Sequence, residues 1–102
     1  MTLIYETTNF TVKTPKYLQV DRDEGGHVVI HPKNLVSDRT KLNPEHAIEY
    51  IRLSMIVGEA MEVAMKNRGL KIAKINYEDV SNYAIFLKED PVFHLHIFGR
   101  TW

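Results

Sequence analysis

The sequence predicts an α+β fold over residues 1–102, a single domain with an antiparallel sheet covered by one long helix. Three observations carry that prediction. A central stretch places apolar residues at helical spacing between clear start and stop signals. Short runs of β-forming residues lie on both sides of it. No repeat, linker or low-complexity segment divides the 102 residues, and a chain of that length builds one core.

Residues 2–20 read as extended. Thr2, Thr7, Thr8, Phe10, Thr11 and Val12 favour strand, and Pro15 ends one strand before Tyr17–Val20 forms the next. Asp21–Gly26 is polar and closes on two glycines free to take positive φ, so it predicts a hairpin connection. His27–His31 is the strand beyond it. His27, Val29 and His31 share one face, Val28 and Ile30 the other. Pro32 closes this strand by removing a ladder donor. Lys33–Leu42 reads as irregular or as a short helical turn.

The helix follows. Asn43 suits the N-cap, Pro44 the first helical position, and Glu45 the positive end of the helix. Ile48, Ile51, Met55, Val57, Met61 and Met65 form the expected apolar stripe, widened by Leu53, Ile56 and Ala64. Lys66, Asn67 and Arg68 fill the last turn, and Gly69 ends it. About 24 residues at 1.5 Å rise make a helix of about 36 Å. Leu70–Ile75 then reads as a strand, Asn76–Asn82 as a polar connection, Tyr83–Leu87 as another strand and Lys88–Pro91 as a turn. The final strand, Val92–Arg100, puts Phe93, Leu95 and Ile97 on one face and His94, His96 and Phe98 on the other.

Composition removes several classes of function. Net charge is zero, so no global basic field invites nucleic acid. The chain has no cysteine, which removes disulfides, thiolate ligands and cysteine nucleophiles. No apolar run approaches the roughly 18 residues of a membrane helix. Met1–Phe10 lacks the basic start and long apolar stretch of a signal peptide, so a cytoplasmic protein is expected.

The histidines remain. An imidazole titrates near neutral pH, so His94-x-His96 is a place for a nucleophile with a helper, or for two metal ligands. His ligands without cysteine suit Zn, Cu or Ni, and a metal site on His94, His96 and His27 is the alternative these residue types leave open. His46, in the first helical turn, is expected at the surface.

Two stretches carry a resemblance. Val92-Phe93-His94-Leu95-His96-Ile97-Phe98 resembles the His-φ-His-φ-His-φ-φ motif of the histidine triad (HIT) family. Gly26-His27-Val28-Val29-Ile30-His31-Pro32-Lys33 resembles that family's Gly-His-φ-φ-φ-φ-Pro-Lys strand. Both stand in the family's order, on either side of the long helix. The resemblance implies a HIT-like domain that takes a nucleotide or nucleoside phosphate substrate. It implies a hydrolase or nucleotidyltransferase acting at an α-phosphate, of a dinucleoside polyphosphate or nucleoside phosphoramidate, through a nucleotidyl-histidine. It implies no cofactor, and a homodimer as partner state.

The register that matches Val-x-His-Leu-His-Ile throughout makes His96 the nucleophile and His94 its orienting or phosphate-contacting neighbour. Phe98 then stands in the third histidine's place, and His27 matches the family's additional histidine near the phosphate. A rival register follows from Arg100, four residues after His96, because an arginine follows the third histidine in many members. His94 is central in that register, His96 is third, and Val92 replaces the first. The first register is the preferred one. In either, the resemblance implies that a backbone carbonyl fixes the nucleophile's tautomer. Asp21 is expected to contact a ribose, Asn82 to reach phosphate, His31 to line the pocket beside His27, and Arg100 to balance phosphate charge. Asp90 and Pro91 replace the family's usual polar phosphate contacts, and Phe98 can neither donate nor accept. These departures make a nucleotide-binding module with little or no turnover the second expectation.

Overall fold

The computed structural model describes residues 1–102. Five strands, β1 (Thr2–Glu6), β2 (Phe10–Thr14), β3 (His27–Pro32), β4 (Ile72–Glu78) and β5 (Leu95–Thr101), form one sheet in the order β1-β2-β3-β5-β4. Every neighbouring pair is antiparallel. One helix, α1 (Pro44–Asn67), covers one face. The α+β architecture expected from the sequence is therefore present. β3 and β5 are neighbours in the interior of the sheet, which puts the two histidine-bearing stretches side by side.

The helix starts where its chemistry directs. Asn43 Oδ1 accepts the His46 backbone N–H at 2.8 Å, Pro44 occupies the first turn, and Gly69 follows the last turn with φ 75°. Glu49 ties α1 to the β1–β2 turn, accepting from Thr7 Oγ1 at 2.6 Å and from Asn9 N and Nδ2 at 2.8 Å. The core between helix and sheet holds Phe10, Val12, Val28, Ile30, Leu53, Val57, Met65, Ile75, Leu95 and Ile97.

The face that α1 buries matches the expected stripe only in part, at Leu53, Val57 and Met65, with Met61 packed against the core. Tyr50, Leu53, Ser54, Val57, Gly58 and Met65 point inward, while Ile48, Ile51, Met55 and Ile56 are exposed. Apolar residues lie on both sides of the helix, so hydrophobic spacing alone does not choose the face. Two polar or small positions complete the buried one. The Ser54 hydroxyl bonds back to the Ile51 carbonyl at 2.7 Å, leaving no unpaired group in the interface. Gly58 leaves room for the Tyr77 hydroxyl of β4, which a Cβ would meet.

Three connections also depart from expectation. Tyr17–Val20 is not a strand, and Asp21–Gly26 is not a hairpin turn. Residues 15–26 form one long excursion between β2 and β3, with a 3₁₀ turn at Arg22–Glu24. Pro15 takes the chain out of the sheet, and it returns at Gly25, whose φ of 136° and close approach to the Gly99 backbone admit no side chain. Tyr83–Leu87 is likewise not a strand, and Ser81–Leu87 coils as a 3₁₀ helix. β4 runs on through Asn76, Tyr77 and Glu78, which pair with Phe98, Ile97 and His96. Ladder pairing with β5 outweighs the polar composition of that segment. Arg39–Lys41 supplies the short helical turn expected within Lys33–Leu42. No helix is long and apolar enough to cross a membrane.

Candidate functional site

The sheet face away from α1 carries the histidines. His27, Val29 and His31 alternate with the core residues Val28 and Ile30 on β3. His96, Phe98 and Arg100 alternate with Leu95, Ile97 and Gly99 on β5, and His94 lies just before it. The pairing of His27 with Phe98 and of Val29 with His96 sets the four imidazoles in two cross-strand pairs. The His27 and His96 ring centroids are 5.1 Å apart, as are those of His31 and His94. His94 and His96 are 4.8 Å apart. A cavity of about 410 Å³ opens over the row, lined by His31, His94 and His96 below and by Gln19 and residues between Val80 and Val92 above.

Hydrogen bonds fix the tautomers. The Gln19 backbone N–H donates to His27 Nδ1 at 3.3 Å, so His27 carries its proton on Nε2 when neutral. His27 Nε2 lies 2.8 Å from His96 Nδ1, which must therefore accept. Neutral His96 then also carries its proton on Nε2. His94 is reversed. Its Nδ1 lies 2.8 Å from the Val92 carbonyl, which can only accept, so the proton is on Nδ1 and the lone pair on Nε2. Neither His94 Nε2 nor His96 Nε2 has a protein partner, and both rings line the cavity.

Three of the four rings are held neutral. Burial pushes His27 down to about 4, assisted by the charges of His96 and Arg100. Burial pushes His31 to about 4 as well, with His94, Lys13 and His96 adding to the effect. His96 is lowered by burial and by His94, against the pull of Glu78 and Asp79. Three imidazoles thus keep their lone pairs and N–H groups, rather than positive charges, at neutral pH.

The other expected site residues lie apart from the cavity. Phe98 is buried, 1% exposed, with its ring 4.4 Å from that of His27 and parallel to that of His96. It is a wall behind the histidines. Arg100 covers the Phe98 ring at 4.9 Å and donates from Nε to Asn76 Oδ1 at 2.9 Å. Asp21 is exposed and spends its carboxylate on the Asp23 backbone N–H, capping the 3₁₀ turn. Asn82 is exposed, and its neighbours Ser81 and Tyr83 line the cavity while it does not. His27 is behind the cavity wall and acts on it only through His96. His46 is half-buried against the edge of Phe10, rather than free at the surface.

No group of three or more His, Cys, Asp or Glu side chains is placed to hold a metal ion. For His27, His94 and His96 the reason is geometric, because His27 Nε2 and His96 Nδ1 face each other. Sequence reasoning passed over Gln19, left the expected backbone carbonyl unplaced at Val92, and passed over Glu89. The first two act through backbone atoms, which any residue carries, so no residue type signals them. No protein-family model matches the chain, and no curated protein matches it.

Proposed function

We infer that this chain is a HIT-like enzyme that cleaves or transfers at the α-phosphorus of a nucleoside phosphoramidate or dinucleoside polyphosphate, with His94 as the nucleophile. One observation carries the choice of residue: the Val92 carbonyl holds the His94 proton on Nδ1 and leaves Nε2 as a free lone pair facing the cavity. That arrangement supports the register in which His94 is central and His96 third. His96 suits attack poorly, because its own free nitrogen carries the proton.

The chemistry follows from these roles. The His94 Nε2 lone pair forms a bond to phosphorus as the bond to the leaving group breaks, and the departing amine or phosphate takes its proton from solvent. The ring, still protonated on Nδ1, becomes cationic, and the carbonyl of Val92 stabilises it. The Nε2–H of His96 donates to a phosphoryl oxygen as charge builds there. Water or another acceptor then attacks phosphorus and gives up its proton to solvent, the N–P bond breaks, and His94 regains its lone pair.

A nucleotide-binding module with little turnover is the second reading. Phe98 and Pro91 support it, since neither side chain can donate or accept a hydrogen bond where the resemblance expects a polar group. Glu89 and Asp90 line a cavity without Lys or Arg and weaken phosphate binding in either reading. A cytoplasmic location and a homodimer belong to the first reading, and the apolar Ile48, Ile51, Met55 and Ile56 exposed on α1 support the dimer. Peptide mapping by mass spectrometry after mixing with a nucleoside phosphoramidate tests the enzyme. A nucleotidyl group on His94 is the expected product. Full binding of the probe with no adduct on any residue favours the module instead.

A further inference from the structure

The strand position of His31 is apolar in the pattern that β3 resembles, so sequence reasoning takes this ring no further than lining the pocket beside His27. Its surroundings give it a defined role. The ring is partly buried and stacks on His94, with centroids 5.1 Å apart and planes 16° from parallel. It lines the same cavity as His94 and His96. Its Nδ1 is buried and has no hydrogen-bond partner. A buried N–H without an acceptor is rarer and costlier than an under-used acceptor, so the proton belongs on Nε2. That nitrogen has no protein partner and, unlike Nδ1, is not sealed off.

We propose that His31 is a substrate-binding residue whose Nε2–H donates to a non-bridging oxygen of the phosphoryl group at His94, opposite the donor from His96. This rests on the reading of the site given above and deepens it with a second phosphoryl donor. The lone pair of His94 is then flanked on both sides by neutral N–H donors. The groups around His31 are His94, His96 and Lys13, with Glu89 and Asp90 across the cavity. Neutral donors with two carboxylates opposite suit an internal phosphorus bearing one negative charge, as in a phosphodiester or phosphoramidate. They disfavour the dianion of a terminal phosphate monoester.

Two substitutions separate donor from filler. His31→Phe keeps a flat ring against His94 and removes the N–H. His31→Gln gives up the stack and restores a donor. Calorimetry with the methyl ester of AMP, a singly charged unreactive probe, should show binding by the wild type and weaker binding by H31F, by about ten- to a hundredfold. H31Q should recover most of that loss, and AMP itself should bind the wild type less tightly than its methyl ester. Single-turnover adduct formation from a nucleoside phosphoramidate should fall in H31F by about 10²–10³-fold. Wild-type affinity for the ester in a folded H31F overturns the role of His31, whatever the turnover. Normal binding of the ester by the wild type with no adduct leaves His31 standing and removes the enzyme reading. Failure of the wild type to bind the ester removes both.

Discussion

Two histidine pairs, built from the same side chain and joined across the same two strands, do opposite things with their nitrogens. His27 and His96 meet nitrogen to nitrogen at 2.8 Å, and Gln19 holds the far side of His27. The bond uses up the lone pair of His96 and leaves it an N–H facing the cavity. His31 and His94 meet face to face, 16° from parallel, and the Val92 carbonyl holds Nδ1 of His94. Stacking uses no nitrogen, so His94 keeps its lone pair for the cavity. What His94 and His96 can do is therefore set by a backbone atom, directly at His94 and through the ring of His27 at His96, and spacing along the strand does not reveal it.

The sharpest way to break this comparison is to remove one ring from each pair. His94→Ala should abolish the nucleotidyl adduct, because no other cavity-facing imidazole presents a fixed lone pair. His96→Ala should still label His94, with a rate about 10²–10³-fold lower, the usual loss of one oxyanion donor. Quantitative mass spectrometry reads both. Retention of the adduct in H94A and its loss in H96A would reverse the roles of the two pairs.

The next effect falls on the wall that both rings of the first pair share. Phe98 is 1% exposed and touches His27 and His96. Phe98→Ala should cost about 3–5 kcal/mol in urea unfolding, the range for truncating a buried Phe. Phe98→His should not raise turnover, because this side chain faces His27 and not the cavity.

A smaller effect distinguishes the pairs from ordinary surface histidines through pH. His27 and His31 sit at about 4 in the fold and near 6.5 when unfolded. A histidine lowered by folding binds its proton more tightly in the unfolded chain. Its stabilising neutral form is fully present above pH 6.5 and is lost as pH falls from 6.5 towards 4. At pH 5 unfolding should take up about two protons from this pair of groups, with His96 adding in the same direction. Urea titrations between pH 6.5 and 5, above the usual carboxylate range, measure that slope. A flat profile would mean that the rings titrate as if exposed.

How far the sequence reaches is visible in particular residues. Asn43, Pro44 and Gly69 mark both ends of α1, because caps are local chemistry. The alternation of Val28, Ile30, Leu95 and Ile97 marks the core face of β3 and β5. The helix face was legible only in part, since Ile48, Ile51 and Met55 are as apolar as the residues that α1 buries. Tyr83–Leu87 has strand-like composition but finds no partner strand, and coils instead. In the site, His27 and His31 were legible as one strand face and His94 and His96 as another, while the pairing of β3 with β5 that joins them was not. The order of the roles between His94 and His96 was not, because it rests on a carbonyl of Val92 and an N–H of Gln19.

The most direct test is nitrogen-15 NMR of the imidazole rings at pH 7.5, which reads the protonated nitrogen of each histidine without any substrate. The account predicts His94 as the Nδ1–H form and His27 and His96 as the Nε2–H form. Finding His96 protonated on Nδ1 with a bare Nε2, or His94 protonated on Nε2, would contradict it.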